Sequence, residues 1–309
     1  MPSATSPLHA LALLWLLFVA YSFLGWVVES AYCSVSARRF VNRGFLNGPY
    51  IPIYGAGALI AILLLDDLPD DLLVFLAGGA LSCALEYVTS AVMEHIYHAR
   101  WWDYSDKPLN LDGRVWAGGF VEFGLCMLIV VRVLQPVALC ALGSLGEGAR
   151  LALAVLTAGV MLADLVVTHL GITKLRGKMD DLRADVTERL ALLREALPDR
   201  PELTLVTTWD DLVFRPVRRQ LEARLRNGAR HLRGAKREIM GALGERGGVE
   251  GLSLPPSLDE AAERFTARLS SQEWRLLRAF PRMRPSHWKD SLAEHVRRLR
   301  DAQTPRPPR

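Results

Sequence analysis

Five carboxylates, Glu29, Glu86, Glu94, Glu122 and Asp164, fall within or at the ends of segments otherwise apolar enough for a lipid bilayer. A charged side chain at a bilayer centre costs roughly 2.5–3.5 kcal/mol even on the lenient insertion scale, so such groups face a bundle interior, a partner or an aqueous cavity. The chemistry open to them is that of a substrate or ion pathway, or of a general base. Glu86 and Glu94 belong to a row, Gly78, Ser82, Glu86, Ser90 and Glu94, that recurs every fourth residue on a slowly drifting helix face. Gly and Ser permit close helix approach in lipid, and acids there need partners. The row reads equally as a packing seam and as the wall of a pathway. Glu29 and Glu94 lie near helix ends, at the depth of Arg38, Arg43 and Arg100, and each is expected to form an ion pair. Glu122 and Asp164 lie deeper. Arg132, near the far end of its span, is expected to snorkel.

Two loops are dense in polar and conformationally special residues. Asn42-Arg43-Gly44-Phe45-Leu46-Asn47-Gly48-Pro49, followed by Pro52 and Tyr54-Gly55, cannot be regular helix, because its Gly and Pro spacing dictates turns. Non-helical backbone at membrane depth is tolerated only where protein or a water-filled cavity covers it. The loop therefore reads as a tight turn or as a substrate-contacting segment. Trp101-Trp102-Asp103-Tyr104-Ser105, with Pro108, Asn110, Asp112 and Gly113, forms the second. Its aromatics suit the headgroup boundary, and the same residues could cap a cavity.

Several chemistries find no support. Glu94, His95 and His98 lack the HExxH order and a third convergent ligand, so no metal is expected. No GxxxxGK[ST] stretch provides a phosphate-binding loop, and no cofactor is expected. Cys33, Cys83, Cys126 and Cys140 are scattered through apolar segments without CxxC spacing, which suits buried reduced thiols.

The elements that position these residues follow from hydropathy. A span needs about 20 mostly apolar residues, and residues 8–32, 50–65, 72–97, 115–136 and 150–170 are read as five transmembrane helices in a domain covering 1–170. Val137–Gly148 is apolar but too short to cross, and is expected at the interface. No small-residue cleavage motif follows the first apolar run, which favours a retained helix over a signal peptide. Arg38, Arg39 and Arg43, then His98, Arg100, Lys107 and Arg114, then Lys174, Arg176 and Lys178 fall on one side of such a bundle. Asp66, Asp67, Asp70 and Asp71 fall on the other. The positive-inside bias then places the N-terminus outside and the C-terminal region in the cytoplasm.

Charge changes sign after the last span. Residues 1–170 hold 8 Lys and Arg against 13 Asp and Glu, whereas residues 171–309 hold 29 against 20. Residues 171–246 read as a cytoplasmic helical hairpin or coiled region, with Leu175, Met179, Leu182, Val186, Leu190, Leu193 and Leu197 at helical spacing. A second helical stretch is expected over about 209–245, and 247–256 reads as a linker. Ser257 with Glu260, and Ser270 with Glu273, fit capping boxes in a helical region over 257–302. A further helix is expected at about 287–300, and 303–309 as a disordered tail. The basic balance suits anionic lipid headgroups better than nucleic acid, which is not an expected partner.

In combination these residues resemble a bacterial membrane family labelled ABC-transporter permease, type IV, formerly catalogued as a domain of unknown function. The resemblance covers about residues 15–170. It rests on Phe23-Leu24-Gly25-Trp26 with Glu29, Asn42-Arg43-Gly44-Phe45-Leu46 with Gly48-Pro49, Pro52-Ile53-Tyr54-Gly55, Leu85-Glu86-Tyr87, Trp101-Trp102-Asp103-Tyr104-Ser105 with Asn110 and Gly113-Arg114, and Asp164. It implies an all-α, multi-pass protein of the bacterial inner membrane. An ATP-binding subunit would come from another chain, and the membrane domain would pair with itself or a partner. No EAA-type coupling sequence is found. Two alternatives stay open beside a permease subunit: a membrane-embedded enzyme acting on a lipid or lipid-linked substrate, and a non-catalytic scaffold or regulator.

Overall fold

Long runs of Leu, Ala, Val and Ile without internal proline build the helices, and proline and polar caps set their ends. A computed structural model of the chain describes residues 6–38, 40–196, 264–280 and 283–285. The expected helix at 209–245, the linker 247–256, the capping box at Ser257 and Glu260, the helix at 287–300 and the tail lie outside those residues. Helix α1 (Pro7–Ala37) opens on a proline, whose missing amide is harmless in a first turn, and closes at Arg38 in the left-handed conformation. Helix α2 (Pro52–Leu65) opens the same way. Helix α3 (Asp71–Tyr97) is capped by Asp70, whose carboxylate accepts from the amides of Leu72 at 2.7 Å and Leu73 at 3.2 Å.

Helix α4 (Ala117–Ile129) passes through a π-helical turn, Val130–Leu134, into helix α5 (Gln135–Gly143). Pro136 removes an amide and its ring crowds the carbonyl four residues back, and the wider π turn lies where that ladder is interrupted. The fourth span, expected to end at Pro136, therefore continues to Gly143, and the segment expected to lie separately at the interface begins as part of this rod. Helix α6 (Glu147–Ala196) then runs unbroken beyond the apolar segment.

Among the described residues, four stretches are long and apolar enough to cross a membrane: Pro7–Val35, Asp71–Tyr97, Ala117–Gly143 and Glu147–Leu182. At 14 residues α2 is shorter, about 21 Å against a hydrocarbon core of about 30 Å. Outward faces are apolar although exposed, as at Val28, Leu63, Val88, Leu156 and Val160. That is the pattern of a bundle solvated by lipid rather than water.

Among the described residues, those up to Thr173 together with Ser271–Pro285 form one compact unit, and those from Lys174 to Ser270 a second. In the second, Leu175, Met179 and Leu182 are buried, and Arg264 meets Asp185 at 3.2 Å.

The first unit is knit by reciprocal small-to-large contacts. Gly25 of α1 faces the Tyr54 ring, and Gly55 of α2 faces Ser22 and the Phe18 carbonyl; a Cβ at either would overlap its neighbour. Between α3 and α4 the exchange repeats: Gly79 lies against Phe120, Gly124 against Phe75, and the two rings meet edge-on at 6.1 Å. Ala61, Leu65, Val74, Met127 and Val131 form a core shared by α2, α3 and the α4 rod. Ala12 and Leu16 pack on Ala154 of α6. At the end bearing the α2–α3 turn, Arg132 meets Asp71 at 2.9 Å and donates to the carbonyl of Leu68. It is a tie between elements and not only a snorkelling cation.

Candidate functional site

The opposite end of the first unit carries both polar loops. Within Asn42–Tyr50, Asn42 accepts from the Trp26 indole at 2.7 Å and from the Gly44 amide at 3.2 Å, and donates to the Asn47 carbonyl. Asp164 of α6 holds the far half. One carboxylate oxygen accepts from the Asn47 amide at 3.1 Å, the Asn47 side chain at 2.8 Å and the Thr168 hydroxyl at 3.2 Å. The other accepts from the Gly48 amide at 2.8 Å and the Tyr50 hydroxyl at 2.6 Å. Leu46 and Tyr50 pack on Met161 one helical turn away. The backbone of this loop cannot satisfy itself, and a carboxylate with five donors does so from outside.

A different arrangement surrounds Glu86. It is buried on α3 and accepts a long hydrogen bond from the Tyr104 hydroxyl at 3.4 Å. Its charged neighbours are acids, Glu29 from α1 and Glu122 from α4. Tyr54 of α2 lies within electrostatic reach of Glu29, Cys126 and Tyr104. Four helices and one loop thus bring Glu29, Tyr54, Glu86, Glu122 and Tyr104 within electrostatic reach of one another, Glu86 buried and Glu122 exposed. The counter-charge of the group is Arg43, whose Nε meets Glu29 at 3.0 Å. Burial, reinforced by Glu86 and Glu29, pushes the Tyr104 phenol above its ordinary range, and Arg43 opposes the shift. Tyr104 therefore stays protonated and donates to Glu86.

The row on α3 turns its Gly78, Ser82, Glu86 and Ser90 inward. Glu94 belongs to a third cluster rather than to the group around Glu86. Arg114 reaches it at 2.8 Å and donates to the Ser90 hydroxyl at 2.9 Å, while Arg100 approaches it at 3.4 Å. Arg100 also lies 3.7 Å from Asp103.

These contacts are set by the segment between α3 and α4. Strands β1 (Ala99–Arg100), β2 (Asn110–Leu111) and β3 (Val115–Trp116) are two residues each, and β2 pairs with β3. Asp112 and Gly113 both have positive φ, closing the turn with a bond from the Arg114 amide to the Leu111 carbonyl. A Cβ at Gly113 would strike Asp103 and Ser105. Asn110 accepts from the Gly113 amide at 3.0 Å, and the Trp102 indole donates to the Arg114 carbonyl at 3.1 Å. Trp101 is buried against Phe45 and Tyr97.

A segment from far along the chain completes this end. Helix α7 (Ser271–Ala279) begins one residue after Ser270, and strand β4 (Arg284–Pro285) pairs antiparallel with β1. Arg275 donates to the carbonyls of Gly44 at 2.6 Å and Phe45 at 3.1 Å. Burial lowers the Arg275 pKa, and nearby Asp164 offsets part of that. Phe280 stacks edge-on against Trp101 at 5.1 Å and lies 4.6 Å from the Arg43 guanidinium.

The structure therefore divides the sequence candidates. Glu29, Glu86, Glu122, Tyr54 and Tyr104 come together. Asp164 stands apart with Asn42, Gly44, Gly48 and Pro49 in or beneath the first loop, and Glu94 with Asp103 in the arginine cluster. Trp101, Trp102 and Asn110 shape the second loop from within. Sequence reasoning passed over Tyr50, Thr168, Arg275 and Phe280. Thr168, one turn after Asp164, carried a visible signal; the other three are recognisable only from partners distant in sequence.

Residues 16–169 match the family described as "Putative ABC-transporter type IV", and the chain belongs to that family through this segment. No curated protein and no solved structure matches it. The family match and the apolar helices together point to a membrane protein.

Proposed function

We propose that the chain is a permease-like subunit of a bacterial inner membrane, without an ATPase of its own, in which a chamber at Glu29, Glu86 and Glu122 receives a polar solute or ion. The convergence of those acids with Tyr54 and Tyr104 from separate helices carries the reading. A buried carboxylate surrounded by like charge gains from any cation or donor that enters, since incoming charge relieves both desolvation and repulsion.

Orientation follows from the basic loops. Arg38, Arg43, Arg100, Lys107 and Arg114 mark the chamber end as cytoplasmic under the positive-inside bias, and Asp66, Asp67, Asp70 and Asp71 mark the other as external. Counting α2 as a crossing gives five spans and an outside N-terminus. The shortness of α2 is supported by the loop before it, whose polar backbone is covered by α1, α6 and α7 and so fits at membrane depth. An ATP-binding subunit on a separate chain is the partner that the family label supports. Lipids suit the exposed apolar faces, and a second copy could complete the pathway. The residues after α6 would lie in the cytoplasm.

Uptake and export across a solute library, in cells carrying wild type or Glu86→Gln, test the reading. Loss of movement for the solutes that depend on the protein is expected. Equal transport of all of them overturns the pathway role of Glu86.

A further inference from the structure

The chain reverses at Arg38, in the left-handed conformation, and runs back along the helix it has just left. The Val41 amide donates to the Ser34 hydroxyl at 2.9 Å, and the Arg43 amide to the Ser30 hydroxyl at 3.3 Å. Phe40 thereby meets the Trp26 ring edge-on at 6.5 Å, and Trp26 stacks on Phe23 at 6.0 Å. Phe23 belongs to the exposed apolar face of α1 with Leu24, Val27 and Val28, so the three rings continue that face toward the helix end. The resulting hook leaves large apolar side chains almost uncovered: Tyr32 is 75% exposed, Val35 79% and Phe40 74%. Arg38 is exposed at its tip and has no carboxylate partner among the described residues.

We propose that this hook binds an anionic phospholipid of the cytoplasmic leaflet, with the headgroup phosphate on Arg38 and the acyl chains along Phe40, Trp26 and Phe23. Helix α1 has 31 residues, about 46 Å against a hydrocarbon core of about 30 Å, so its last turns reach headgroup depth. Apolar side chains exposed to this degree gain burial when lipid covers them, and Trp and Tyr belong at that boundary. Charge selects the occupant. Arg38 holds the tip, Arg39 follows it in sequence, and Glu29, the nearest acid along the chain, is already engaged by Arg43 at 3.0 Å. A zwitterionic lipid satisfies the aromatic side of the hook alone, whereas an anionic headgroup satisfies the free cation as well. The site also reaches into the protein. Trp26 donates its indole N–H to Asn42 at 2.7 Å, and Asn42 bonds the Gly44 amide and the Asn47 carbonyl. Lipid seated on the outer rings therefore braces the loop that Asp164 holds from the other side. The inference rests on the membrane orientation proposed above and not on transport.

The full chain, reconstituted in phosphatidylcholine vesicles carrying either brominated phosphatidylglycerol or brominated phosphatidylcholine, reads the site through quenching of tryptophan fluorescence. The Trp26 component is the difference between wild type and Trp26→Phe. Brominated phosphatidylglycerol should occupy the site about fivefold more tightly than brominated phosphatidylcholine, the gain expected from one arginine at an anionic surface. Arg38→Gln should bring that ratio to about one while both lipids still quench, since the aromatic side is untouched and Arg38 has no protein partner to lose. High salt should erase the preference in wild type itself, with no substitution at all. Added phosphatidylglycerol should also raise the unfolding midpoint of wild type more than that of Arg38→Gln. Equal quenching by the two lipids in wild type overturns the headgroup preference, and a preference that survives Arg38→Gln overturns Arg38 as its ligand. Quenching by neither lipid overturns the site and leaves the hook to a protein partner or a second copy. No solute enters these measurements, so the Glu86→Gln transport experiment fails or succeeds separately.

Discussion

Asp164 and Glu86 are both acids set in apolar helices of one bundle, and their surroundings are opposite. Asp164 accepts five hydrogen bonds, all from the loop it supports or from its own helix. Glu86 has the long bond from Tyr104, with Glu29 and Glu122 as its charged neighbours. A carboxylate whose lone pairs are filled by fixed donors has little left to offer a ligand, and its ionised form is what those donors stabilise. A buried carboxylate with unused acceptor capacity and like-charged neighbours is in tension, and a proton, cation or hydrogen-bonding solute relieves it. Position within an apolar helix does not separate these two acids. Donor count does.

The comparison breaks first at Asp164. At about 0.6 kcal/mol for an average hydrogen bond in a membrane protein, five bonds reach about 3 kcal/mol, before the cost of orphaning the Asn47 and Gly48 amides. Asp164→Ala should therefore lower stability by about 3 kcal/mol or more, read as a fall in the unfolding midpoint of the detergent-solubilised protein. Asp164→Asn should recover part of it, because an amide can accept but places donors opposite donors. A loss below about 1 kcal/mol for the alanine variant would mean that the loop holds without its acid.

Arg114 comes next. It bridges Glu94 at 2.8 Å and Ser90 at 2.9 Å with both partners largely buried. Its removal leaves Glu94 with Arg100 at 3.4 Å. Hydrogen bonds to charged groups contribute about 1.5–3 kcal/mol, so Arg114→Ala should destabilise by about 2 kcal/mol and Arg100→Ala by less. A double-mutant cycle with Glu94→Gln checks it, and additivity of Arg114 with Glu94 would dissolve the cluster. At the far end, Arg132→Ala should lower the same midpoint by about 1 kcal/mol or less, since Asp71 is well exposed and such pairs contribute little.

Much of this arrangement is legible in the chain because bilayer solvation is a strong constraint. Runs of apolar residues mark the long helices, and Asp70 and the prolines mark their ends. The rod through Pro136 was not legible: a proline predicts a stop, and only packing on both sides shows that a π turn absorbs it. The depth and neighbours of Glu29 and Glu94 point toward arginines nearby in sequence, and Arg43, Arg100 and Arg114 occupy those places. Asp164 shows no local partner in sequence because its donors are backbone amides of a loop more than a hundred residues earlier. Arg275 and Phe280 are invisible for the same reason, since a helix that docks as a unit leaves no periodic trace of its target.

The smallest stability effect is expected at Glu86, the residue on which the proposed pathway rests. Glu86→Gln replaces a buried acid, at a site whose charged neighbours are acids, by a neutral amide that keeps an oxygen to accept from Tyr104. Replacing a poorly satisfied buried charge by a neutral isostere is neutral or stabilising. The unfolding midpoint should therefore stay within about 0.5 kcal/mol of wild type or rise. Tyr104→Phe should cost less than about 1 kcal/mol, because a bond of 3.4 Å is long and weak. The same carboxylate-to-amide exchange at Asp164 should be costly and at Glu86 should not. If Glu86→Gln instead destabilises as much as Asp164→Asn, Glu86 is as fully satisfied as Asp164 and the chamber is a packing seam. If it leaves stability intact while transport falls, the energy withheld from folding at Glu86 is available to whatever enters.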